Sequence, residues 1–85
     1  MAKRKEGVAF VLLMTKIMES AGVKPVKTKI LRVRNVITNQ AAEDQARFCI
    51  LLDAVYGRIL ENPKCAQYQL EGMMCTYPHI FIHLL

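Results

Sequence analysis

Glycine and proline are scarce, at four and three in 85 residues, while hydrophobic residues reach 53% against 22% charged. That balance excludes a disordered tail, a collagen-like repeat and a low-complexity linker. Cysteine is scarce too. Cys49, Cys65 and Cys75 are an odd number with no C-x-x-C spacing, which argues against a secreted disulfide framework or a zinc ribbon and for a reducing compartment. No G-x-G-x-x-G or Walker sequence is present to cradle a phosphate, and no internal repeat is visible. The apolar run Gly7–Met14 behind a basic start imitates a secretory leader. Lys16 and Glu19 come directly after it without a small-x-small cleavage site, and the run is far short of the ~20 residues that span a bilayer. The expected location is therefore cytoplasmic.

What remains is one small apolar domain of 9.7 kDa, too short for a multidomain enzyme. A chain near this size hides only about 60–65% of its unfolded surface, so a partner that covers more would stabilise it. The net charge of +5 is lopsided. Residues 1–34 carry nine cations (Lys3, Arg4, Lys5, Lys16, Lys24, Lys27, Lys29, Arg32 and Arg34) against Glu6 and Glu19, and the remainder carries three cations against five acids. Such a segment attracts any polyanion, whether nucleic acid, anionic membrane or acidic protein. RNA recognition also wants aromatic platforms between the charges, and residues 23–36 hold none. Nucleic-acid binding through Lys24–Arg34 is therefore expected to be weak and non-specific, with the charges serving attraction and solubility.

The continuous apolar run Val8–Met14 reads as a buried strand, with a helix as its main competitor, punctuated by Gly7 at its start, with Gly22 and Pro25 as breakers further on. Lys24 to Val36 alternates loosely, as a lysine-protected edge strand or an extended arm would. From about Gln40 to Glu61 the pattern is helical. Thr38 or Asn39 is a candidate cap, and Glu43 and Asp44 sit at the positive end of the dipole. Ala42, Ala46, Cys49, Leu52, Tyr56 and Ile59 form the predicted apolar stripe, widened by Phe48, Leu51, Val55 and Leu60. Asp44, Arg47, Arg58 and Glu61 are expected on the solvent side, and Asn62-Pro63 ends the helix. Tyr68–Tyr77 then reads as a strand with a bulge at Gly72, Pro78-His79 as a turn, and Ile80–Leu85 as the antiparallel mate. An apolar strand that stops at Leu85 leads to the expectation of a truncated product, an isoform, or a segment completed by another chain.

Chemistry has few candidates. Cys75, His79 and His83 would face one way on a helix and hold zinc, but on the predicted strand residues four apart lie about 13 Å from each other. No metal is expected. Cys49 belongs to the apolar stripe as inert core, and Cys75, though near histidines, lacks a visible oxyanion donor. Asp53, Glu61 and Glu71 form no pair in sequence for acid/base work. The chain is not expected to be an enzyme, and no catalytic, cofactor-binding or metal residue is assigned.

The order strand, helix, Leu70-Glu-Gly-Met-Met-Cys-Thr-Tyr77, turn, Phe81-Ile-His-Leu-Leu85 resembles the BLUF domain, a ferredoxin-like flavin photoreceptor. The likeness covers about residues 8–18 and 40–85, and Gly72, Tyr77 and Phe81 fit best. It implies a ferredoxin-like α+β fold: a small, mostly antiparallel sheet covered by one long helix and incomplete at its C-terminus. Residues 1–6 would be a basic leader and residues 7–85 a single BLUF-like domain with a basic insertion at about 21–38. The family's flavin-contacting Tyr falls on Leu13, with Thr15 next in the pattern, and its signalling Gln falls on His83. Asn62 would stand at the helix end that holds the flavin. Loss of the Tyr and Gln implies a degenerate, flavin-free relative of the animal BLUF-like proteins, with a cytoplasmic or sperm-related role. The expected function is a non-catalytic protein-interaction module. Phe81, Ile82 and Leu84 would recruit a protein partner or a second copy at an open strand edge. The alternatives are an FAD-binding sensor and weak polyanion binding through residues 24–34.

Overall fold

Leu12, Leu13, Met14, Lys16, Met18 and Glu19 are strong helix formers, and in the computed structural model they belong to one helix, α1 (Ala2–Ser20). The structure describes residues 2–84, with side chains from Val8 onward. The side chains of the basic leader, and Leu85, lie outside the described residues. The expected strand at Val8–Met14 is thereby overturned. A short unbroken apolar run has no period of its own to separate strand from buried helix. Here Met14, Ile17 and Met18 turn inward at helical spacing, while Val8 and Leu12 face out.

Gly22 marks the end of this helix. At φ +75° it occupies the left-handed region, and the amides of Gly22 and Val23 donate back to the carbonyls of Glu19 and Met18 at 3.0 and 2.8 Å. This pair of bonds satisfies carbonyls that the helix leaves open. Gly22→Ala should therefore cost about 1–2 kcal/mol through backbone strain alone, since a Cβ there meets nothing within 4 Å. Gly57→Ala, in a helix interior with equally open space around it, should add about 0.5–1 kcal/mol. Opposite shifts of the urea midpoint would check the pair.

Lys27–Thr38 forms α2 rather than an edge strand. Its Val, Ile and Thr content favours sheet, but Ile30, Val33 and Ile37 are all buried at spacings of three and four. Tertiary burial outweighs a propensity difference of under ~1 kcal/mol per residue. The long central helix agrees with the sequence reading and runs as α3 (Ala42–Glu61), with Glu43 and Asp44 in its first turn. Its buried stripe is Phe48, Leu52, Val55 and Ile59, whereas Ala42, Ala46, Cys49 and Leu60 are exposed. Its N-cap is Ala41, without a side-chain cap, instead of Thr38 or Asn39. Gln45 reaches back to donate to the carbonyls of Thr38 and Gln40, both at 2.9 Å.

Asn62-Pro63 ends α3 as expected. The Asn62 Oδ1 accepts from the Lys64 amide at 3.2 Å and caps a 3₁₀ turn, Pro63–Cys65, that leads into α4 (Ala66–Thr76). Ala66, Leu70 and Met73 are buried along α4, where a strand with a bulge at Gly72 was expected. Gly72 is instead an exposed helical residue whose carbonyl accepts from Thr76 Oγ1 at 2.8 Å. Pro78 disfavours helix at Tyr77 and itself opens α5 (Pro78–Phe81), with a 3₁₀ turn over Ile82–Leu84 directly after it. The predicted strand at Ile80–Leu84 is thus helical turn.

The described residues contain no strand. The α+β ferredoxin-like expectation is corrected to an all-helical domain, and the sheet with its open strand edge does not form. α1 packs on α2, α3 and α4, while α2 also packs on α5 and the last turn. Their inner faces meet in one core of Met14, Ile17, Met18, Ile30, Val33, Ile37, Phe48, Leu52, Val55, Ile59, Ala66, Leu70, Met73, Ile80 and Phe81, with no buried polar side chain among the described residues. The radius of gyration, 12.1 Å, matches the ~12 Å of a compact chain this long. Among the described residues no helix is long and apolar enough to cross a membrane.

Candidate functional site

The helical backbone at Cys75–His83 revives the arrangement in which C-x3-H-x3-H shares one face, but the break at Tyr77 (φ −127°, ψ 60°) destroys its register. Cys75 and His79 are exposed on different helices and His83 is half-buried in the final turn. Among the described residues no group of three or more His, Cys, Asp or Glu side chains gathers as metal ligands. Cys49, expected in the core, is exposed; it, Cys65 and Cys75 are free thiols. Asp53 and Glu61 lie exposed on α3, and Glu71 accepts from Gln67 Nε2 at 3.1 Å on α4.

The residues carrying the BLUF resemblance take other roles. Leu13 and Thr15 are half-buried on a helix. Asn62 caps a 3₁₀ turn, and Tyr77 and Phe81 pack on Phe48 at ring-centroid distances of 5.2 and 5.6 Å. The strand scaffold that the resemblance needs is absent from the described residues.

Two surface features remain. The first is α2 with the segment leading into it. Lys24, Lys27, Lys29, Arg32 and Arg34 fall between Ser20 and Ala42, a stretch without one acidic residue. Lys24, Lys27 and Arg32 are exposed, and Lys29 and Arg34 are half-buried. Lys27 and Lys29 stand in the first turn of α2, which has no acidic residue and no side-chain cap. Cations there oppose the helix dipole at about 0.3–1 kcal/mol each.

The second is an apolar groove of about 220 Å³ between the end of α4 and α5, lined by Met74, Pro78, Phe81 and Ile82. The bend imposed at Tyr77-Pro78 opens it. Buried Phe81 forms its floor, and Ile82, 62% exposed, its rim. Its volume is below the ~300–1,000 Å³ usual for small-molecule sites, and suits a protruding side chain. The groove and the basic helix are neighbours. The turn that carries Ile82 also carries Leu84, whose carbonyl lies 3.5 Å from Lys29 Nζ on α2. The sequence contained both halves, the acid-free basic stretch and the Phe81-Ile82 apolar pair, but the strand reading gave no reason for their two elements to meet.

No family model matches the chain, and neither a curated protein nor a solved structure does.

Proposed function

We propose that this chain is a non-catalytic protein-interaction module that engages its partner through helix surfaces, with α2 as the docking element. The observation that carries the reading is the acid-free cationic helix, whose exposed Lys27 stands in a first turn where a cation opposes the helix's own dipole. A solvated face would serve as well with mixed charge. Exposed apolar side chains elsewhere, such as Ile50 at 68% and Tyr68 at 75%, supply further contact area without being a site by themselves.

A photo-crosslinking amino acid at exposed Thr28, in the full chain expressed in cells, tests this. The expected result is a discrete crosslinked protein that disappears when Lys27→Glu and Arg32→Glu are introduced, with the helical circular dichroism retained. Crosslinks to nucleic acid alone, or a protein crosslink indifferent to the charge reversal, would overturn the reading.

A further inference from the structure

No further inference is drawn: the strongest candidate, the apolar groove between α4 and α5 lined by Met74, Pro78, Phe81 and Ile82, is an unpartnered surface, and nothing in the structure shows what covers it.

Discussion

Phe48→Ala should leave the protein largely unfolded or close to it. The ring is 1% exposed at the centre of the core and meets Tyr77 edge-on at 5.2 Å and Phe81 tilted at 5.6 Å. Truncating a buried phenylalanine costs about 3–5 kcal/mol, a large share of the ~5–15 kcal/mol that holds a domain folded. Because Phe48 joins α3 to the chain's last helical turns, the loss should register as a lower urea midpoint and as loss of the near-ultraviolet tyrosine signal. The adjacent Cys49→Ala supplies the control. Cys49 is exposed, so the change should stay within about 0.5 kcal/mol. If Cys49 were the core residue, the ranking would reverse.

Val33→Asp should be among the most damaging single changes in α2. Val33 is fully enclosed, and among the described residues no buried polar side chain stands ready to receive a carboxylate. An unpaired charge in such a place either ionises at high cost or forces the helix open. The expected loss exceeds about 4 kcal/mol, in the range reserved for buried unsatisfied charge, and circular dichroism of the purified variant would register it as missing helix. Ile30→Asp should do the same, because Ile30 and Val33 share the inner face. Arg32→Asp, exposed between them, should retain the native spectrum. In a strand, Ile30 and Arg32 would lie on one face and Val33 on the other, so this trio separates helix from strand by solution measurement.

The long helix α3 was legible because twenty residues at helical spacing leave no competing period, and because Asn62-Pro63 marks its end. Its stripe was rotated in the sequence reading, since Cys49 and Ala46 look apolar on paper and only packing decides which edge of a wide stripe turns inward. The other helices were misread for separate reasons. Val8 and Leu12 are apolar but solvent-facing, which filled in the period of α1 and left a run that fits strand equally well. In α2, β-branched residues dominate, and the burial of Ile30, Val33 and Ile37 against distant elements is invisible locally. For Ala66–Thr76 the local signal was present: Gln, Leu, Glu and Met are strong helix formers, and Ala66, Leu70 and Met73 recur at four and three. The strand reading of Tyr68–Tyr77, with Gly72 taken as a bulge, passed over it. The break at Gly22 is plain in the sequence, but a helix-ending glycine and a loop glycine look alike until the direction of the preceding chain is known.

The apolar core carries one more implication. With no buried polar side chain among the described residues, no side chain there demands a unique partner atom, and three of the enclosed side chains, Met14, Met18 and Met73, are unbranched thioethers that refill a gap after small displacements. Such an interior rewards density without dictating alignment, so alignment must be imposed at the joints. Gly22 closes α1 with two backbone bonds, Asn62 starts the turn before α4, and Tyr77-Pro78 sets where α5 departs. The protein is thus best pictured as stiff rods on a soft bearing: substitutions that exchange one methionine for leucine slide by almost unnoticed, while a change at one of three corners re-aims an entire helix and the surface it carries.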